Sequence, residues 1–389
     1  MPGSVAIAIQ FLSGFSTHIV TAAQPFWLSC VLPDDLHGSF GARGNMLLGI
    51  GGLLSTGWIA FACTAACSRS LLRGALALRI VAALMYVSVS GRPELFAWSR
   101  MLHGISLVSN ALCHRIVSSI ANVPARARAS QWLSFHLLFG PLVAFTVSSA
   151  LAAHLAARAV FRCVNGLYLT TAIASYALSL ALHADRETDR GADVEKFPCA
   201  GVVGYVVTFG FVTGASVLGM ETIAPLLARY LCGLPLERLW LVLMPMMSSM
   251  ILASAGGLYR SRPPHGISVG ASVVALIGAG GTRNGAHMSV PRFVLSNVAL
   301  VVSAVLMMEH LTLTVSARAG RCVPLYHCAM QLGRAAAPFA ASLFLDGTPC
   351  GAGAYWSVQV STVAVAACIF AALRETDTAT VRDPVVILV

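Results

Sequence analysis

Long apolar stretches with almost no charge recur from one end of the chain to the other. A helix that crosses a bilayer needs about 20 such residues. Continuous runs of this length are typical of helices rather than barrel strands, because a helix satisfies its backbone groups within one segment. Twelve runs qualify, at about 5–31, 44–67, 71–90, 96–121, 130–153, 160–182, 200–230, 238–258, 267–281, 292–315, 323–345 and 353–373. The sequence therefore predicts an all-α polytopic membrane protein with 12 transmembrane helices.

The scarcity of charge excludes most soluble classes of protein. Only 10% of the 389 residues are charged, whereas an ordinary soluble domain is about 25% charged. A soluble enzyme, a disordered protein and a disulfide-stapled secreted domain are excluded, because so few charges cannot cover a water-facing surface. We expect no nucleic-acid partner, since the basic residues are not clustered. We expect no cofactor or metal either, because the Cys63–Cys67 pair lacks the further ligands that a metal site needs.

One highly charged segment divides the chain near its middle. Residues 183–196 hold eight charges in fourteen positions, between the sixth and seventh apolar runs. Arginines at helix ends are more numerous on the side that carries both termini, which predicts that this side is cytoplasmic. The predicted regions are an N-terminal six-helix bundle at 1–182, a cytoplasmic central loop at 183–198, a C-terminal six-helix bundle at 199–373 and a cytoplasmic tail at 374–389.

The two halves carry prolines at corresponding places. Pro25 in the first run corresponds to Pro225 in the seventh, at an offset of 200 residues. Pro141 in the fifth run corresponds to Pro338 in the eleventh, at an offset of 197 residues. Membrane transporters are often built from such repeated halves, so the spacing predicts an internal repeat.

Several short motifs resemble the major facilitator superfamily of secondary transporters. The segment from Arg100 to Gly104 resembles the Arg-x-x-x-Gly opening of that family's fourth helix, and Gly140-Pro141 resembles the Gly-Pro of its fifth helix. Gly333-Arg334 followed by Pro338 is similar to part of the eleventh helix in some members. The resemblance implies two six-helix bundles around a central cavity, lined by helices one, four, seven and ten.

The loop after the second run departs from the family's pattern. That loop usually reads Gly-x-x-x-Asp-Arg-x-Gly-Arg, whereas its counterpart here, Cys67 to Arg73, keeps two arginines and lacks the acidic residue and the glycine. In the family the aspartate helps to latch the two halves, so its absence puts that contact in doubt and suggests a divergent lineage.

Glycines at helical spacing predict close contacts between helices. Gly210 and Gly214 form a Gly-x-x-x-Gly motif, and Gly49, Gly51, Gly52 and Gly57 cluster in the second run. Small residues at these spacings let two helix backbones approach closely.

Polar residues inside the apolar runs are the candidate site residues, because burying them in hydrocarbon is costly unless they serve a function. They are His18 and Gln24 in the first run; Arg100, His103, Asn110, His114 and Arg115 in the fourth; Glu221 in the seventh; Glu309 and His310 in the tenth; and Arg334 in the eleventh. Most of them fall on the helices that would line the family's cavity. Arg79 lies near the end of the third run, where its side chain could snorkel to the surface.

A buried arginine stays charged and needs an anion beside it. One hypothesis is that Arg115 binds an anionic group of the solute while Glu221 or Glu309 exchanges protons. The alternative is an Arg115–glutamate pair that only holds the two halves together. For Arg100, an anchor at the membrane interface and a role in the cavity both remain open.

The sequence therefore predicts a secondary active transporter that moves a small solute by alternating access, with coupling to protons as a hypothesis. The solute is expected to be a small molecule, anionic in the reading that assigns it to Arg115. The chain is expected to act as a monomer in the lipid bilayer, either of the plasma membrane or of an acidic internal compartment. The alternative is a non-transporting receptor or scaffold with the same architecture.

Overall fold

The chain folds as a succession of helices. The computed structural model describes residues 2–31, 37–62, 68–89, 92–118, 120, 122–182, 200–235, 238–258, 265–280, 287–318, 322–345 and 348–380. Within these ranges the α-helices are α1 Pro2–Val31, α2 His37–Ala62, α3 Ser68–Val87, α4 Pro93–Ser106, α5 Val108–Ser118, α6 Val123–His154, α7 Ala157–Leu180, α8 Ala200–Thr213, α9 Met220–Cys232, α10 Trp240–Leu258, α11 His265–Ala279, α12 Val290–Arg318, α13 Cys322–Phe344 and α14 Pro349–Thr380. A π-helical segment, Gly214–Gly219, joins α8 to α9.

The helices follow the predicted apolar runs in order, and the all-α class is confirmed. The fourth run is broken at Leu107 into α4 and α5, and the seventh run contains α8, the π-helical segment and α9. The last helix continues to Thr380, beyond residue 373, where the tail was predicted to begin. The predicted central loop at 183–198 lies outside the described residues.

The structure supports an integral membrane protein that crosses the bilayer several times. Six helices of the described residues, α1, α3, α6, α7, α12 and α14, are each long and apolar enough to cross a membrane. The bent pair α8–α9 adds a seventh candidate, while α10 and α11 are apolar but shorter. The count is below the predicted twelve partly because the fourth run is broken into α4 and α5, which at 14 and 11 residues are each too short to cross a membrane alone.

Paired glycines fix the closest crossings between helices, as their spacing predicted. A Cβ atom on Gly51 of α2 would lie 2.3 Å from the carbonyl oxygen of Met101 in α4. A Cβ atom on Gly104 of α4 would lie 2.1 Å from the carbonyl oxygen of Leu48 in α2. Both distances are far below van der Waals contact, so only glycine lets the two backbones meet here.

The same type of crossing occurs at corresponding places in the two halves. In the first half, Gly14 of α1 and Gly140 of α6 lie at the contact between these helices. In the second half, Gly214 of the π-helical segment and Gly333 of α13 lie at the contact between theirs. The predicted contact of the Gly210–Gly214 motif is confirmed, and it packs against α13.

Two pairs of helices account for much of the contact between the two halves. In one pair, Gly49 of α2 lies against Ala335 of α13, where a Cβ atom on the glycine would be 2.7 Å from that of the alanine. In the other, the hydroxyl of Thr146 on α6 lies 3.7 Å from the sulfur of Met244 on α10. Phe145 of α6 is buried in an apolar cluster formed mostly by residues of the second half. A small cavity is lined by residues of both halves.

Candidate binding cavity between the two halves

The cavity between the halves is lined by residues from both of them. The first half contributes α1, α5, α6 and the break between α4 and α5, and the second half contributes the π-helical segment and α13. The lining residues are Gly14, Thr17, His18, Leu107, Asn110, Leu137, Leu218, His327, Met330, Gln331 and Arg334. They include one arginine, two histidines and several neutral polar groups, but no carboxylate among the described residues.

Arg334 is the charged residue of this lining, and α13 positions it. Its neighbour Gly333 sits against α8 and the π-helical segment, where a Cβ atom would be 2.1 Å from the carbonyl oxygen of Phe211. This contact presses α13 against the seventh span and directs the following residue into the boundary between the halves. Arg334 is only 3% exposed, so its charge acts in a poorly hydrated space where electrostatic interactions are strong.

A seam of buried polar side chains runs along one face of α1. Ser13, Thr17 and Thr21 are spaced by four residues, which places them on one side of the helix. All three are buried. Each contacts a polar residue of α4 or α5, so the seam connects the cavity to the fourth span. The sequence analysis did not single out these hydroxyls, although their regular spacing is a signal that could have identified them.

The seam also determines the tautomer of His103. The Thr17 hydroxyl donates to the carbonyl oxygen of Ser13 at 2.8 Å, so it accepts from Nε2 of His103 at 3.1 Å. Nδ1 of His103 then accepts from the hydroxyl of Tyr168 at 2.7 Å. The two rings are also stacked, with centroids 5.1 Å apart. His103 is therefore fully engaged within the first half and acts as a connector between α1, α4 and α7.

Arg100 is buried within the first half, and it is not among the described residues that line the cavity. The side chain is 0% exposed, so it is not an anchor at the membrane interface. Its Nη2 donates to the hydroxyl of Thr21 at 3.2 Å and to the side-chain oxygen of Asn45 on α2. Its Nε and Nη1 find no hydrogen-bond partner among the described residues. Its hydrogen-bond partners are neutral, so the positive charge of Arg100 is not paired with a carboxylate there.

Arg79 does not snorkel, contrary to expectation. It is 0% exposed and reaches the break between α4 and α5. It donates to the hydroxyl of Ser106 at 3.1 Å, to the backbone carbonyl of Ser106 at 3.2 Å and to the hydroxyl of Ser109 at 2.9 Å. The break at Leu107 interrupts the helix near these groups, so the guanidinium stabilises the interruption. A backbone carbonyl group without a partner is costly in a membrane interior, where no water can hydrogen-bond to it. Arg79 turns inward and provides that partner for the carbonyl of Ser106.

Asn110 and the two cavity histidines complete the polar lining. Asn110 accepts a hydrogen bond from Ser13 at 2.8 Å. His18 donates from Nδ1 to the carbonyl oxygen of Gly14 at 2.7 Å. His327 of α13 lies edge-on against His114 of α5, with ring centroids 4.9 Å apart. This histidine pair joins the two halves beside the cavity.

Glu309 lies away from this cavity. It is buried on α12 and accepts a hydrogen bond from the hydroxyl of Ser254 on α10 at 2.5 Å. Arg115 is half-buried on α5. The neighbouring His310 faces the opposite way, with its ring 5.8 Å from that of His265.

Two further candidate residues belong to α9 and α1. Glu221 belongs to α9, and its side chain lies outside the described residues. Gln24 is buried on α1 and donates to the carbonyl oxygen of Gly41 at 3.1 Å, which ties α1 to α2. Gln24 therefore continues the polar seam beyond the cavity, on the side toward the α1–α2 connection.

A break in the seventh span shapes the cavity wall. The axes of α8 and α9 differ by 62°. Pro225 lies inside α9 and lacks the backbone N–H that would continue the helical ladder. The π-helical segment before it, which provides Leu218 to the cavity, is of a kind that is frequent at functional sites.

The cavity brings together His18, Asn110 and Arg334 of the candidate residues, and it adds Thr17, Gln331 and His327. It differs from the expected arrangement in one respect. The eleventh span, α13, supplies much of the lining, whereas none of the described side chains of α12, the tenth span, belongs to it. The described residues contain no group of three or more histidine, cysteine or acidic side chains that could hold a metal ion.

No protein-family model matches this sequence, and no curated protein sequence matches it. Solved structures do. The human organic anion transporter MFSD10 (TETRAN) is 12% identical, with a TM-score of 0.71 over 94% of this chain and 98% of that chain. A variant of the E. coli fucose:proton symporter FucP is 10% identical, with a TM-score of 0.65 over 95% of this chain and 98% of that one.

A third similar structure is that of the proton:xylose symporter XylE bound to 6-bromo-6-deoxy-D-glucose. It is 14% identical, with a TM-score of 0.64 over 95% of this chain and 94% of that one. All three match over nearly the whole length, including both halves. At such low identity this likeness shows a shared fold, and the chemistry of the cavity has to be argued from its own residues.

Proposed function

The chain has the fold of the major facilitator superfamily, and we propose that it is a secondary active transporter for a small anionic solute. The observation that carries this proposal is the chemistry of the cavity between the halves. Arg334 lines it, and the described lining residues include no carboxylate. An arginine in such a place keeps its charge and favours an anion as its partner.

Two other polar side chains of the cavity lining bear on the proposal. The side-chain oxygen of Gln331 and Nε2 of His327 have no hydrogen-bond partner among the described residues. Buried polar groups are nearly always hydrogen-bonded, to protein, water or ligand. These atoms support a binding site that a polar solute completes, and the name of one similar structure, an organic anion transporter, agrees with an anion.

The position of the cavity supports alternating access. In this fold the two bundles rock about a site at their boundary. Here the halves are in contact along α2–α13 and α6–α10, and residues of both halves line the cavity. A solute bound there would be released to either side as one line of contact opens and the other closes. We retain the proposal that both termini are cytoplasmic.

The experiment is uptake by purified protein in proteoliposomes. Radiolabelled lactate, succinate and inorganic phosphate are compared with glucose and tetraethylammonium, using protein-free vesicles as the baseline. We expect at least one anion to enter faster than the baseline, with saturable kinetics, while glucose and tetraethylammonium do not. Entry of the cation or of glucose, with exclusion of every anion, would refute the proposal.

Proton coupling is a separate prediction, and it rests on Glu309. Burial without a cationic partner favours the protonated form of a carboxyl group, and the described partner of Glu309 is the Ser254 hydroxyl. We therefore expect an inward proton gradient to accelerate uptake by the wild-type protein. In Glu309→Gln this acceleration should disappear, while anion exchange at equal pH on both sides continues.

The matched control for Glu309 is Glu94→Gln, which removes an exposed carboxylate at the start of α4. This variant should respond to the proton gradient as the wild type does. The proposal that Glu309 carries the proton fails if Glu309→Gln retains the full acceleration.

A further inference from the structure

Two buried histidines, one from each half, meet beside the cavity. His114 of α5 and His327 of α13 are each 4% exposed, and their rings lie edge to face with centroids 4.9 Å apart. His327 also lines the cavity. We infer that the pair is a histidine latch: with both rings neutral it holds the halves together at one end of the cavity, and a proton on either ring opens that end. This latch requires from the proposed function only that the two halves move relative to each other.

The histidine latch lies where α5 ends and α13 begins. The first helix and the fourth span run in opposite directions, because Thr21 contacts Arg100 whereas Ser13, earlier on α1, contacts Asn110. His114 lies one turn beyond Asn110, and therefore toward the start of α1. Its partner in the latch follows the first residue of α13 by five positions. The contact thus closes the end of the cavity that faces the start of α1.

The surroundings of the latch suit two neutral rings. Nε2 of His327 has no hydrogen-bond partner among the described residues. On the helices packed against α5 and α13, the described carboxylates are Glu94, which is exposed, and Glu309, which is bound to Ser254. The other buried groups of these helices that carry a charge or gain one between pH 5 and 8 are all basic, namely His18, Arg79, Arg100, His103 and Arg334. A proton on the latch would add a positive charge to a buried basic region, which is costly.

Acid opens the latch because the open state binds the proton more tightly. Once the halves separate at this end, water hydrates the imidazole, and a histidine in water binds its proton near pH 6.5. The closed contact excludes that proton. Between about pH 7.5 and about pH 5.5, one such histidine raises the ratio of open to closed protein about tenfold. If both rings bind a proton in the open state, the ratio rises further.

The latch is separate from the proton carrier proposed above. It lies toward the start of α1, which is the cytoplasmic end in the proposed topology, whereas an inward proton gradient acidifies the opposite side. Glu309 is therefore not needed for the latch to open. In Glu309→Gln the response of the latch to pH should equal that of the wild type.

The test is a distance across this end of the molecule. Spin labels are attached through p-acetylphenylalanine at positions Arg128 and Gly266, because the 11 native cysteines would compete for a thiol label. Arg128 is exposed near the start of α6, which follows α5, and an added Cβ atom at Gly266 meets nothing within 4 Å. Gly266 is at the same end, since Ser268 beside it contacts Ser303, in the second half of α12. Pulsed electron-spin resonance of the purified protein in nanodiscs then gives the open and closed populations.

We expect the open-to-closed ratio of the wild type to rise about tenfold or more from about pH 7.5 to about pH 5.5. The double variant His114→Phe/His327→Phe keeps two rings in contact but binds no proton, so it should stay closed at both pH values. His327→Arg carries a permanent charge and should be open at both. The matched control is His154→Phe, which replaces an exposed histidine at the end of α6 and should respond as the wild type does.

The latch is refuted if the wild-type ratio is the same at both pH values, or if the double variant opens in acid as the wild type does. If the double variant does not fold, His327→Arg decides, because a closed population at about pH 7.5 equal to that of the wild type would contradict the latch. The distance measurement needs no solute. Absence of anion uptake would therefore refute the proposed function alone, and a distance that does not respond to pH would refute the latch alone.

Discussion

Replacing Arg334 with glutamine is expected to lower the initial rate of anion uptake by about a hundredfold or more. Removing one partner of a buried charge pair costs roughly 2–5 kcal/mol, and about 1.4 kcal/mol corresponds to a factor of ten. Arg334 is 3% exposed, so water cannot replace the lost interaction with the solute. The measurement is uptake into proteoliposomes at a solute concentration well below saturation.

The control for Arg334 is Arg162→Gln on α7, whose side chain is exposed on the outside of the bundle. It removes one positive charge without touching the cavity, so its uptake rate should stay close to that of the wild type. The uptake rate of Arg334→Lys should lie between those of Arg334→Gln and Arg162→Gln, because lysine keeps the charge and loses the planar array of donors. If Arg334→Gln folds and its uptake is near normal, Arg334 is not part of the binding site.

Gly104→Ala is expected to destabilise the fold by about 3 kcal/mol, since overpacking a tight interior contact costs roughly that amount. The added methyl group would lie 2.1 Å from the carbonyl oxygen of Leu48 and 3.1 Å from the Cα atom of Gly51. All of the nearest atoms belong to the backbone, so no side chain can rotate away to make room. The two helices would have to separate, and α4 also carries Arg100.

The matched control for Gly104 is Gly166→Ala on α7, where an added Cβ atom would meet nothing within 4 Å. There the change should be neutral or stabilising by roughly 0.5–1 kcal/mol, because alanine favours a helix over glycine. The stability of both variants is measured by thermal unfolding in detergent, with size-exclusion chromatography as the readout. Equal stability of the two variants would contradict the close α2–α4 crossing.

The architecture was predictable from the sequence because the membrane imposes simple patterns. The length of each apolar run predicts one membrane span. The glycines Gly51 and Gly210 mark places where helices are in contact. These signals are local, since each depends on residues a few positions apart. For that reason the order of helices and the contacts of these glycines are found as predicted.

The details of the site were less predictable because they depend on contacts between distant parts of the chain. Arg79 lies near the end of an apolar run, which favours snorkelling, yet Ser106 and Ser109 on other helices bind it inside the protein. No residue near Arg79 in the sequence indicates this contact. The spacing of Thr17 and Thr21 places them on one face of α1, but their partners, His103 and Arg100 of the fourth span, are distant in the sequence.

The composition of the cavity illustrates the same limit. The resemblance to the major facilitator superfamily directed attention to the tenth run, where Glu309 and His310 lie, but α13 lines the cavity instead. The reason is geometric: Gly333 allows α13 to press against the seventh span and thereby carries Arg334 to the boundary. A glycine next to a buried arginine is visible in the sequence, but the identity of the helix that it meets is not.

The central claim is that the chain carries an anion through the cavity between its halves. It is tested most directly by counterflow, in which vesicles are preloaded with the unlabelled anion that the wild type takes up fastest and then given a trace of the same anion in labelled form. A carrier should accumulate the label transiently above its equilibrium level, and Arg334→Gln should abolish this overshoot. Label that only equilibrates would indicate a channel, and label that never enters would indicate a receptor or scaffold; either result would contradict the account.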